Sequence, residues 1–202
     1  ANNMMLNLKR TELKADRVMV SLAIDGGELL DTRINPHATE MTGVLAQGGL
    51  GKHSQDELQS ILAGRTVSGS LSASGDAFVG GASTTPRDLE LQLQLLAAYV
   101  SDPGFRPEGE EQYKLNIANF FARLRATPAL ALGNTQGTIL SDADPRFSLG
   151  QASEYQALTF AKLKSDIGER LAKGAIEIAL VGDIDEDKAI ALVARTFGAL
   201  PQ

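Results

Sequence analysis

Residues 35–58 read N-P-H-A-T-E-M-T-G-V-L-A-Q-G-G-L-G-K-H-S-Q-D-E-L, from Asn35 to Leu58. Asn35-Pro36 is a turn signal, 38–47 has helical composition, and Gly48-Gly49 supplies a helix stop. Ser54, with Glu57 three residues on, starts a second helix that runs to Gly64. Both histidines of the chain fall in this stretch. His37 and Glu40 stand at the spacing that opens H-x-x-E-H. That motif needs two imidazoles about one helical turn apart on one zinc ion, with a carboxylate beside them as general base. Met41 occupies the fifth position and is a poor zinc ligand. Two readings stay open: a His at a helix start beside a solvated Glu, or an altered zinc site made of His37, Glu40 and His53. Gly48-Gly49-Leu50-Gly51-Lys52-His53-Ser54 fails the phosphate-loop pattern, because Ala46 replaces the first Gly and His53 follows the Lys. It also follows a helix where that loop requires a strand.

Outward from this stretch, 18–25 is rich in β-branched residues and bounded by Gly26-Gly27, so it reads as a strand, with 6–15 as its pairing partner. Residues 66–74 alternate, with Val67, Gly69, Leu71 and Ala73 on one face, and form a hairpin with 77–84 across Gly75-Asp76. The small residues of that hairpin leave room for close approach of a peptide backbone, or mark a tolerated glycine-rich edge. Thr85-Pro86-Arg87-Asp88 caps a helix with Pro at its first position, and Leu89, Leu93, Leu96 and Val100 form its apolar stripe. A helix over 107–126 opens with Glu108, Glu110 and Glu111 and closes with Arg123 and Arg125, matching the helix dipole. Another runs from Pro128 to about Leu140, then a loop over 141–145 and a helix over 151–173 in one or two pieces. Residues 175–181 read as a central strand, and 185–197 as a closing helix with Ile190, Val193 and Phe197 inward. A hairpin between helix pairs points to one α+β domain over 1–202, a sheet covered by helices rather than a βαβ winding.

Composition narrows the partners. The chain has 202 residues, enough to bury a core, and a net charge of −6 with no Lys/Arg cluster beyond Lys9-Arg10, which argues against nucleic acid. With no cysteine there is neither a disulfide nor a thiolate metal site. No apolar run has membrane-span length. The start at Ala1-Asn2-Asn3 without Met reads as a tag remnant or an excised fragment, with 1–5 as tag or linker.

Four pieces, in order, carry a resemblance. They are the helix, glycine turn and capped helix of 43–62, the small-residue hairpin of 69–84, L-L-A-A-Y-V-S-D-P-G-F at 95–105, and A-L-V-G-D-I-D-E-D-K-A-I-A-L-V-A-R-T-F-G-A-L-P at 179–201. Together they are similar to the pitrilysin/insulinase family of zinc peptidases, which includes the mitochondrial processing peptidase, over nearly all of 18–201. The resemblance implies an α+β fold with a mostly antiparallel sheet covered by helices. In that family the catalytic half carries H-x-x-E-H before the glycine turn, and a later helix supplies a distal Glu. Matching the turn at Gly48 puts the motif on Thr39, Thr42 and Gly43; matching at His37 puts it on His37, Glu40 and Met41. Where the distal Glu would lie, the chain has Asn116 and Asn119. The resemblance therefore implies a zinc-less copy, with no catalytic or metal-ligating residue and no cofactor. Zinc and hydrolase activity would belong to another domain of the parent. The implied partners are other domains of the same polypeptide or a paired subunit, and a peptide added as a strand to a sheet edge. The alternatives are an assembly or binding subunit derived from the peptidase, and a zinc peptidase with an altered site. A bacterial, periplasmic parent is the expectation, with the cytoplasm left open.

Overall fold

The computed structural model describes residues 4–124 and 126–200. Ala1-Asn2-Asn3, Arg125 and Pro201, to which the sequence assigned a tag, a helix end and the last residue of the resemblance, lie outside them.

The chain runs β1 (Met5–Arg10), β2 (Val18–Asp25), α1 (Gln55–Ile61), β3 (Ser72–Ser74), β4 (Ala77–Thr84), α2 (Leu89–Ser101), α3 (Pro107–Arg123), α4 (Pro128–Leu140), α5 (Ala152–Gln156), α6 (Phe160–Lys173), β5 (Ile176–Gly182) and α7 (Glu186–Arg195). Short 3-10 helices add Gly27–Leu30, Glu40–Gly48 and Phe197–Ala199. The five strands form one sheet in the order β1-β5-β2-β4-β3. Among the described residues only the β1–β5 contact is parallel; the rest are antiparallel, as expected.

Alternation along β2 explains the layering. Val18, Val20, Leu22 and Ile24 are buried, as are Ile176, Ile178 and Leu180 of β5, and helices cover this face. The opposite face mixes small and polar residues with the exposed pair Met19 and Val181, an arrangement antiparallel sheets tolerate. The core fills with Leu93 and Leu96 of α2, Ile167 of α6, and Phe78, Phe160 and Phe197.

Several local expectations shift. The segment starting at Leu6 is a strand, but β5 lies between it and β2, so it gains its partner from the far end of the chain. Met5 sits in that strand and Met4 packs against the core, so neither belongs to a linker. The helix over 38–47 is a 3-10 helix, ending at Gly49 with φ 73°. The Ser54–Glu57 capping box is present in both directions, and its helix stops at Ile61. Pro86 precedes α2 rather than opening it. In α7, Ala189 and Val193 face the core and Ile190 is half exposed.

The largest shift is in the hairpin. Burial alternates along 66–74 as the pattern predicts, but only Ser72–Ser74 pairs with β4. Upstream, two buried side chains of the α2 end take the hydrogen bonds a ladder would have used. Asp88 accepts from the Thr66 amide at 2.9 Å. Gln92 accepts from the Ser68 amide at 3.0 Å and donates to the Ser68 carbonyl at 2.6 Å. The small residues serve this docking: a Cβ on Gly69 would strike the Tyr99 ring, and one on Gly80 would meet the Ser70 carbonyl at 3.0 Å. The chain's own segment thus fills the close approach.

Asp88 is fully buried and also binds Arg65 at 3.1 Å and Arg87 at 3.2 Å. The Thr66 amide first, then Arg87, outweigh burial and hold its carboxyl down at about 2. Its unfolded value is about 3.9. A group whose folded value is depressed stabilises the fold above its unfolded value, and the contribution fades as pH falls through the folded one. Stability should therefore drop between about pH 4 and pH 2. Asp88→Asn should lower Tm at neutral pH and flatten that acid limb, as read by thermal melts across pH.

Candidate functional site

The 3-10 helix Glu40–Gly48 and the chain leading into it form the floor of an open cleft of about 750 Å3. Ser72 and Ala73 of β3 and Gly75 of the following turn make one wall, with Glu28 and Leu29 beside them. Pro145, Arg146, Phe147 and Ser148 make the facing wall, and Tyr155 of α5 closes one end. Among the described residues no strand pairs with the outer side of β3.

Each wall is fixed by a local interaction. The Glu28 carboxylate accepts from the Gly75 amide at 3.2 Å, tying the hairpin turn to the 3-10 helix Gly27–Leu30. Asp144 is buried and binds Arg146 at 2.8 Å and Arg33 at 2.9 Å. The Arg146 side chain is the main reason its carboxyl lies well below the usual carboxylate range. The Tyr155 hydroxyl accepts from the Gly150 amide at 3.4 Å, and its ring lies 4.4 Å from that of His37.

The motif positions face different ways and are committed to different partners. His37 is largely buried, with Nε2 3.5 Å from Glu154. Glu40 is exposed and accepts from the Tyr113 hydroxyl of α3 at 3.2 Å. Burial, then the Glu40 carboxylate, push that hydroxyl far above the ordinary tyrosine range, so it stays a donor. Met41 is 1% exposed and belongs to the main core.

In the other register, Thr39 donates through its amide and hydroxyl to Asp31 at 3.0 and 2.9 Å. Burial raises the Asp31 carboxyl despite those two bonds. Thr42 is buried with no partner on its hydroxyl oxygen, and Gly43 opens onto free space. His53 is half exposed beside Glu57 at 3.6 Å and is not part of the cleft. Asn116 accepts from Gln112 on the exposed side of α3, and Asn119 is exposed.

A zinc ion does not fit either donor set. One offers an imidazole turned to Glu154, a carboxylate on a tyrosine hydroxyl and a thioether in the core; the other offers two hydroxyls and no side chain at all. Among the described residues, no three His, Cys, Asp or Glu side chains come together in a metal-holding group.

Sequence reasoning passed over Asp31, Tyr113, Asp144, Arg146 and Tyr155. Tyr113 had a signal: it lies three residues before Asn116, one helical turn away on the helix already marked for a distal ligand. The others are set by long-range packing.

Neither a protein-family model nor a curated protein matches the chain by sequence. Solved structures match it closely in shape. The periplasmic protease PqqL from Escherichia coli matches all of this chain over 22% of its own, at TM-score 0.84 and 19% identity. The ferredoxin protease FusC, in complex with Arabidopsis ferredoxin, matches all of it over 22% of its own, at 0.81 and 16%. A peptidase M16 inactive domain from Pseudomonas fluorescens matches all of it over 49% of its own, at 0.80 and 20%. The likeness is one of fold: this α+β chain has the fold of M16 peptidase domains. It spans from about a fifth to about a half of the length of these solved chains.

Completing the zinc motif at Met41 should fail. Met41→His would put an imidazole into the core, losing the packed thioether and leaving a ring nitrogen without a partner, at a cost of about 2–5 kcal/mol. Urea unfolding should show that loss, and calorimetric zinc titration should show no tight site. A stable variant binding one zinc would contradict this placement.

Proposed function

We propose that this chain is a non-catalytic, peptide-contacting domain of a larger zinc metalloendopeptidase whose metal is held by a different domain. The observation that carries the reading is the cleft floor. A fold matching protease segments and an inactive domain along its whole length carries, at both registers of the motif, side chains already committed to Asp31, Tyr113, Glu154 and the core. Neither motif register among the described residues offers a donor set that would activate a water for peptide hydrolysis.

The domain's part is then geometric. The outer edge of β3 presents the Ala73 amide and carbonyl beside the cleft, a start for capturing an extended peptide as an added strand. Backbone pairing holds the peptide independently of its sequence, and the cleft takes the side chains that point inward. Hydrolysis is left to the zinc-bearing domain.

Titrating the chain with an unfolded peptide while recording amide NMR shifts tests this. The Ala73 amide, which lies between the two residues bonded to β4 and faces outward, should move first, and the chain alone should cleave nothing. Replacing Ala73 by Pro removes the outward-facing edge donor and should weaken binding several-fold while the Ser72 and Ser74 bonds to β4 remain. Shifts confined to other surfaces, or cleavage that Glu40→Gln abolishes, would overturn the reading.

A further inference from the structure

Helix α4 (Pro128–Leu140) is apolar in sequence, P-A-L-A-L-G-N-T-Q-G-T-I-L, yet not one of its residues is buried. It is a well-formed helix: Pro128 opens it, and Thr127 caps it by accepting from the Leu130 amide at 3.3 Å. Leu132, Ile139 and Leu140 stand at i, i+7 and i+8, so they share one helical face. They are 66%, 68% and 76% exposed. Leu130, 46% exposed, lies across the helix from Leu132 and Ile139. No charged residue occurs in 127–141, whereas an ordinary solvated helix carries charge on its outer face.

We infer that the Leu132–Ile139–Leu140 face of α4 is a docking surface for an apolar face of another domain of the same polypeptide. This rests on the reading of the chain as one domain of a larger protein. The lack of any Lys or Arg in 127–141 argues against an anionic membrane surface, since helices that lie on membranes carry basic residues on their polar side. It also leaves nothing to recognise a charged partner. Every solved chain described above continues to at least about twice the matched length, so further domains adjoin this fold in those proteins. A tethered neighbour meets α4 at an effective concentration in the millimolar range for a short linker, which favours it over a free second copy. Covering the stripe also removes the aggregation liability that an exposed apolar patch would carry.

Hydrogen exchange on the whole polypeptide, kept monomeric by dilution, tests this. Amides of 131–140 should exchange on the order of tenfold or more slowly than those of an uncovered helix. Leu132→Glu combined with Ile139→Glu should erase that protection while β2 and β5 amides keep theirs, because both side chains point away from this domain's core. Leu132→Ala with Ile139→Ala should give a smaller loss in the same direction if the acidic pair misassembles. Fast exchange of α4 in the unaltered polypeptide would overturn the inference, as would protection that appears only on raising concentration, which would mean a second copy. The peptide titration is read at β3, so either reading can fail while the other stands.

Discussion

Gly48, Gly109 and the Phe160 ring meet where there is no room for a further carbon. A Cβ on Gly109 would lie 2.6 Å from the ring and 2.9 Å from the Gly48 amide nitrogen; one on Gly48 would lie 3.1 Å from the same ring. Two backbones therefore cross at contact distance, the 3-10 helix of the cleft floor against the first turn of α3. The clamp is reinforced by Arg106, whose guanidinium donates to the carbonyls of Gly48 at 3.0 Å and Gly51 at 2.7 Å. Phe105 beside it is held at φ 48°, a left-handed conformation that a bulky residue adopts only where its surroundings enforce it. Once the floor is pinned there, its rotation is set: Met41 and Leu45 turn to the core, while Glu40 and Gly43 turn to the cleft. The uses found for the motif positions follow from that rotation.

Much of this was readable from the chain, and what was not shares one cause. β-branched content, the Gly75-Asp76 turn and an apolar run located β2, β4 and β5, and the Ser54–Glu57 box and the charge order along 107–126 located α1 and α3, because those signals are local. The pairing of β1 was misplaced because its partner lies some 170 positions away, as the Asn7–Glu177 contact shows. The hairpin was drawn too long because burial alternates along 66–74 whether the hydrogen bonds go to a strand or to Asp88 and Gln92. At the cleft, the missing second imidazole was plain in Met41. The partners that occupy the remaining positions were not, since Asp31, Tyr113 and Glu154 arrive from three separate elements.

The parts make one account. Among the described residues no strand pairs with the outer edge of β3 beside the cleft, the cleft floor is locked by a backbone crossing, and the side chains at the motif positions serve packing and positioning. Such a domain can hold a peptide beside a catalytic centre without owning one. Its outer helix α4 then has a neighbour to meet.

The most direct measurement is anomalous diffraction at the zinc absorption edge from crystals of this chain grown with zinc in excess. The account predicts no anomalous peak among His37, Glu40 and Glu154 in the cleft. A peak there, within bonding distance of His37 and a carboxylate oxygen, would contradict it.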